Sequence, residues 1–120
     1  MDKTEFDKQM AEITAMAEEK SKELTVTHKR EVTPMVFHNG EKFVVGYIGE
    51  PTRMVKMQAF DLYERSRTQA GDIVLRSSLI HDASDKEILD ESTKNDAVYL
   101  GAINFACKLV TEALELLKKK

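Results

Sequence analysis

Apolar residues recur in alternating steps of four and three along residues 2–24, which places them on one side of a helix. The members of this stripe are Phe6, Met10, Ile13, Ala17 and Leu24, with Lys20 at the one missing position. A stripe this narrow can pack into one groove, but it cannot form the centre of a core. The pattern therefore predicts an amphipathic helical arm over residues 1–24, which docks either on its own domain or on another chain.

Between residues 25 and 50 the pattern changes to short runs rich in β-branched and aromatic residues, which is typical of strands. We predict strands within residues 25–27, 32–37 and 43–48. Asn39-Gly40 predicts a type I′ hairpin turn between the second and third runs, because both residues tolerate positive φ. Pro34 has no N–H to donate, so its strand should lie at an edge of the sheet or begin after the proline.

Helical patterns return after Gly49-Glu50-Pro51, where Thr52 can cap a helix that runs to about Ser66. One side of this helix should face the core through Val55, Ala59, Leu62 and Tyr63. Met57 and Phe60 project from the other side. This helix is therefore either covered on two sides or in contact with a partner.

A shorter helix is predicted from Ala70 to Ile80, after a break near Thr68-Gln69, and Ser84-x-x-Glu87 has the form of a capping box for one further turn. The last helix, from about Ser92 to Leu117, has a polar strip of only about 100° and an apolar arc of about 220° at 100° per residue. An arc this wide must be covered on several sides, by the fold or by an oligomer.

Together these patterns predict an α+β fold with a single domain over residues 1–120. The fold is mainly helical, with four to five helices and a small antiparallel β-hairpin or three-stranded sheet between the first and second helices. Its parts are the amphipathic arm (1–24), the hairpin region (25–50) and a helical core (51–120).

Composition narrows the classes of function. A hydrophobic fraction of 42% beside 32% charged residues indicates a folded chain, and a net charge of -3 does not favour nucleic acid as a ligand. The longest nearly apolar run, residues 97–107, is too short to cross a bilayer, so we expect no membrane partner. A single cysteine, Cys107, within apolar residues indicates a reducing compartment, and no secretory signal is recognisable at the amino terminus.

The sequence contains no arrangement of residues typical of catalysis or metal binding. His28, His38 and His81 are far apart, and the acidic residues of segment 82–91 lack the glycine and the closing glutamate of a calcium loop. No phosphate-binding loop or activated nucleophile is recognisable. An enzyme would need a cleft that gathers acids such as Asp61, Asp72 or Asp85. We therefore expect no catalytic residue, no cofactor and no metal.

The order of elements over residues 43–110 carries a family resemblance. A strand that ends in Tyr47 leads through Gly49-Glu50-Pro51-Thr52-Arg53 to a helix, and Ala70-Gly71-Asp72-Ile73-Val74-Leu75 follows. An acidic turn over residues 82–85 then precedes a helix rich in small residues from Ala97. This order resembles the small tail assembly chaperones of long-tailed bacteriophages and prophages.

The resemblance implies a non-enzymatic chaperone that binds the tape measure protein, brings tail tube subunits to it, and leaves before the tail is complete. It also implies the cytoplasm of a bacterial host, and a longer form made by ribosomal frameshifting near Lys118-Lys119-Lys120. The residues that we expect to bind a protein partner are Phe6, Met10, Ile13, Met57 and Phe60. The alternative is a structural, homo-oligomeric tail component or a small interaction adaptor, in which identical subunits bury the apolar arc of the last helix.

Overall fold

In a computed structural model of the protein, four helices and a two-stranded antiparallel sheet are described over residues 2–118, with side chains described for residues 2–112. The elements are α1 (Lys3–His28), β1 (Val32–His38), β2 (Phe43–Gly49), α2 (Arg53–Tyr63), α3 (Arg67–Ser78), 3₁₀ turns at Lys86–Ile88 and Thr93–Asn95, and α4 (Asp96–Lys118). The hairpin lies between the first and second helices, so the predicted α+β class is confirmed.

The first helix is longer than the predicted arm, and the strand predicted over residues 25–27 is wrong. This segment is the last part of α1, where the hydroxyls of Thr25 and Thr27 donate to the carbonyls of Ser21 and Glu23 one turn earlier. The helix ends only at Lys29, which adopts a left-handed conformation with a φ of 55°. The sheet within the described residues is consequently a hairpin, without a third strand.

The hairpin turn also differs from the predicted type I′ geometry. His38 pairs with Phe43, so the connecting loop has four residues, and Gly40 alone of the Asn-Gly pair has a positive φ, at 96°. The Asn39 side chain accepts hydrogen bonds from the backbone N–H groups of Glu41 (2.9 Å) and Lys42 (3.0 Å). This side-chain turn replaces the left-handed conformation that Asn39 would adopt in a type I′ turn.

The hairpin is the middle of three layers. Side chains alternate between the faces of a strand, and those of Val32 and Tyr47 pack against Ala17 of α1 on one face. Those of Met35 and Val44 pack into the larger core, which the helices after the hairpin complete on the other face. The arm therefore docks on its own domain. Pro34 lies in β1, an edge strand, as the sequence predicts.

The helices of the third layer begin at side-chain caps. The hydroxyl of Thr52 accepts from the N–H of Val55 (3.3 Å) and begins α2, as predicted. The hydroxyl of Ser66 accepts from the N–H of Gln69 (3.2 Å), so α3 begins at Arg67 and not at Ala70. The predicted extension of α2 to Ser66 is therefore wrong, because Ser66 caps the next helix.

The last helix buries most of its predicted apolar arc within the chain. Ala102, Ile103, Ala106 and Val110 are buried, whereas Leu100 is 58% exposed and so departs from the predicted coverage. On the polar strip, Asn104, Lys108 and Glu112 are exposed. The side chains from Ala113 onward, and Lys119 and Lys120 altogether, lie outside the described residues.

Candidate protein-binding surfaces

The predicted binding residues on α1 are partly engaged within the chain. Phe6, Met10 and Ile13 are half-buried, on the same stripe as the buried Ala17. The ring of Phe6 lies 5.1 Å from that of His38 and 5.2 Å from that of Phe43, measured between centroids. Part of the apolar area that these residues offer is thus used to dock α1 on the hairpin. Their role in partner binding stays a prediction.

The outer face of α2 carries the predicted binding residues that are most accessible. Met57 is 62% exposed and Phe60 is 41% exposed, and Met54, one turn earlier, is 70% exposed. The opposite side of the helix faces the core, where Ala59 is buried. We call Met54, Met57 and Phe60 the α2 face. Met54 was not predicted as a site residue, although its spacing of three from Met57 places the two on neighbouring turns.

The two predicted sets of residues do not form one surface. The α1 set lies in the layer on one face of the hairpin, and α2 packs on α3 in the layer on the other face. Of these two sets, the α2 face has its large apolar side chains directed to solvent.

A cavity of about 500 Å³ lies beside the loop of residues 79–90, and several acidic side chains line it. Two of its lining residues bond to β2: the N–H of Tyr47 donates to the Ser84 hydroxyl (2.9 Å), and the N–H of Val45 donates to the Asp85 carboxylate (2.8 Å). The predicted capping box at Ser84 is wrong, because the following 3₁₀ turn begins at Lys86 without a side-chain cap. The Ser84 hydroxyl instead accepts a hydrogen bond from the backbone of β2.

Other acids around this cavity are stabilised in their charged form. Lys42 donates to Glu87 at 2.7 Å, and this hydrogen bond lowers the pKa of Glu87 and raises that of Lys42. Hydrogen bonds from Ser92 and then Asn95 lower the pKa of Asp90. A general acid at neutral pH needs the opposite shift. Among the side chains of residues 2–112, no group of three His, Cys, Asp or Glu is placed to hold a metal ion.

The acids that an enzyme site would need to gather lie on three different elements. Asp61 is on α2, Asp85 is in the loop after α3, and Asp72 is on α3. The Asp72 carboxylate accepts hydrogen bonds from the Tyr99 hydroxyl and from Arg76 Nε, and this joins α3 to α4. The absence of catalysis stays a prediction.

A second, smaller depression of about 190 Å³ lies between the start of α3 and the middle of α4. We call it the α3–α4 groove. The residues that line it are Arg67, Thr68, Leu100, Ile103, Asn104, Cys107, Lys108 and Thr111. Sequence reasoning did not identify it, because its two sides are far apart in the chain and meet only when the helices pack.

No protein family, curated protein or solved structure matches the chain. None of the helices within residues 2–118 has an apolar stretch long enough to cross a membrane.

Proposed function

We propose that this chain is a non-enzymatic protein-binding chaperone of phage or prophage tail assembly, which holds its client on the α2 face in the cytoplasm of the bacterial host. The observation that carries the proposal is the exposure of Met54, Met57 and Phe60 on one side of a helix whose other side already packs on the core. The chain's own fold leaves these three large apolar side chains uncovered.

The chemistry of the α2 face suits a client that is held and then released. Methionine side chains are flexible and polarisable, so they adapt to irregular apolar surfaces. Complete burial of one such side chain contributes about 1.5–3 kcal/mol, and much of the sum from three is offset by the cost of association. Arg53 and Asp61 on the same helix and Glu64 directly after it are exposed and limit the apolar area. We therefore expect the α2 face to bind its client reversibly.

The resemblance to tail assembly chaperones points to the tape measure protein, with tail tube subunits as a second partner. The resemblance implies a tape measure protein that is long and prone to aggregate, so its apolar segments must be covered during assembly. The α2 face would bind such apolar segments and shield them from water, without any catalytic step.

The test uses the tape measure protein that this proposal expects to be encoded beside the gene of the chain. Met57→Glu should weaken co-purification with that protein and raise the dissociation constant about tenfold or more, since a buried charge without a partner is costly. Met16→Glu is the matched control, because Met16 is 71% exposed but lies on α1. Equal binding by both variants, or a gene neighbourhood without a tape measure reading frame, would refute the proposal.

The alternative candidate is a structural, homo-oligomeric tail component. The observation in its favour is Leu100, a large apolar residue of α4 that is 58% exposed although the predicted apolar arc places it on a covered side of the helix. Light scattering of the purified chain separates the two candidates. A stable ring at micromolar concentration indicates a structural component, and a monomer or weak oligomer that binds extended apolar peptides indicates a chaperone.

A further inference from the structure

We propose that the α3–α4 groove is a second protein-binding site, which accepts a leucine-sized side chain from an acidic segment of a partner protein. This inference is independent of the α2 face and of the tape measure client. It depends on the shape of the groove, its apolar floor and the positive charge at its rim.

The shape of the groove follows from the way α3 and α4 meet. Gly71 has no side chain, and a Cβ at this position would overlap the backbone oxygen of Ile103, so the two helices are in direct contact there. Tyr99 of α4 bonds to Asp72 and Arg76 further along α3, which shows that the helices run antiparallel. The first turn of α3 therefore lies beside the turn of α4 that follows Ile103. The groove lies between these two turns.

The buried residues at the floor of the groove are apolar, and Thr68, Asn104 and Thr111 add polar groups to its sides. Ile103 and Cys107 are nearly buried beneath it, and Leu100 stands at its edge with 58% of its surface exposed. Its volume of about 190 Å³ is below the roughly 300–1,000 Å³ of typical small-molecule pockets. A groove of this size fits an inserted side chain better than a cofactor.

The rim of the groove is positively charged. Arg67 and Lys108 line it and are both exposed, and no carboxylate of the described residues lies within 4.0 Å of either side chain. The start of α3 adds the partial positive charge of a helix amino terminus. The residues that line the groove therefore carry two positive charges and no carboxylate, in a chain whose formal net charge is -3.

Arg67 is positioned before any ligand arrives. Its guanidinium donates to the Tyr63 hydroxyl at 2.6 Å and lies 5.1 Å from the centre of the Tyr63 ring. A guanidinium has five N–H donors, so donors remain for a carboxylate. Charge complementarity therefore selects a segment in which an apolar residue has Asp or Glu within about one helical turn on either side.

The experiment compares two synthetic peptides of roughly twelve residues, a length at which helix formation begins to be measurable. Both peptides carry one central leucine in an alanine background. One has glutamates a turn before and after the leucine, and the other has glutamines. Each peptide is titrated into the ¹⁵N-labelled full chain, and amide chemical shifts report the site of binding.

The acidic peptide should shift the amides of residues 67–68 and 100–108 and leave those of residues 54–60 unchanged. Its dissociation constant should be lower than that of the glutamine peptide by about fivefold, which is typical of two exposed ion pairs. The preference should decrease at about 0.5 M salt, where the Debye length is about 4 Å.

Substitutions distinguish the contribution of the charged rim to peptide binding from that of the apolar floor. Lys108→Glu should abolish the preference for the acidic peptide. Leu100→Ser should lower the affinity for both peptides by a similar factor. Lys8→Glu is the matched control, because Lys8 is an exposed lysine on α1. Met57→Glu should leave peptide binding unchanged, so failure of the α2 proposal and failure of this one are distinguishable.

Three results would overturn the inference. The first is equal affinity for the two peptides, or no binding of either. The second is a shift of the amides of the α2 face in place of those of the groove. The third is an oligomer of the free chain that Leu100→Ser converts to a monomer, since a second copy of the chain would then occupy the groove.

Discussion

Val45 and Asp85, forty residues apart in the chain, are joined by two hydrogen bonds. The Val45 N–H donates to the Asp85 carboxylate at 2.8 Å, and the Asp85 N–H donates to the Val45 carbonyl at 2.9 Å. Tyr47 is bound in the same way by Ser84 and by the N–H of Ile80. The segment of residues 80–85 therefore covers the edge of β2 that faces away from β1.

Removal of the Asp85 side chain should destabilise the protein. Asp85→Ala leaves the Val45 N–H without its partner, and we expect a loss of about 1 kcal/mol in the free energy of unfolding, because water can replace part of the bond. The corresponding fall in melting temperature is roughly 4 °C for a chain of this size. The control is Asp82→Ala, an exposed acid of the same loop, which should stay within about 0.5 kcal/mol of the native protein. Equal melting temperatures for the two variants would contradict the role of Asp85.

Substitution by alanine should change the free energy of unfolding differently at Gly71 of α3 and at Gly101 of α4. At Gly71 a Cβ would overlap the backbone oxygen of Ile103, so we expect Gly71→Ala to cost about 2 kcal/mol despite the higher helix propensity of alanine. At Gly101 a Cβ would lie 3.0 Å from the Phe37 ring, a side chain that can move. Gly101→Ala should therefore be close to neutral. Urea unfolding measures both, and a similar cost at the two positions would argue against close contact at Gly71.

Truncation of Phe6 tests whether the start of α1 is docked. The Phe6 ring packs against those of His38 and Phe43, so Phe6→Ala should cost about 1–1.5 kcal/mol and increase amide hydrogen exchange in the first turns of α1. Met16→Ala is the control, since Met16 is largely exposed on the same helix and should change neither quantity. An unchanged exchange rate in the Phe6 variant would indicate that the first turns are not held by this cluster.

The ion pair of Lys42 and Glu87 should make stability depend on pH in the acid range. Because the folded pKa of Glu87 is lowered, its carboxylate stabilises the fold above the ordinary Glu pKa of about 4.3, and the contribution is lost as the pH falls through the folded pKa. Lys42→Met should lower the urea midpoint at pH 7. The difference should disappear near pH 3, and also at high salt because the pair is partly exposed.

Lys86→Met is the control for this measurement, since Lys86 is an exposed lysine near the same cavity and forms no ion pair within the described residues. A difference between native protein and Lys42→Met that persists unchanged at pH 3 would mean that the lysine acts through its aliphatic stem and not through its charge.

The parts of the fold that could be predicted from the sequence are those with a local cause. The α1 stripe, the cap at Thr52 and the arc around Ala59 each depend on residues within one or two turns, and the structure confirms them. Residues 25–27 were wrongly predicted as a strand because propensity was the only local signal. The segment instead continues α1, whose Leu24 packs against the hairpin, and that contact is not visible in local propensity.

The parts that could not be predicted depend on partners distant in the chain. Ser84 has the spacing of a capping residue, and only the folded structure reveals that its hydroxyl accepts from Tyr47. The exposure of Met57 and Phe60 follows from their place off the core-facing arc, so it was predicted correctly. The α3–α4 groove needs the contact of Gly71 with Ile103, and no pattern within a single helix encodes that contact.

The bonding of β2 to residues 80–85 also has a consequence for synthesis on the ribosome. Translation releases Val45 and Tyr47 before the segment that covers them, so the outer edge of β2 is open in the nascent chain. Open strand edges pair readily with other chains. The yield of newly made protein therefore depends on how fast the remainder of the chain emerges and folds over this edge.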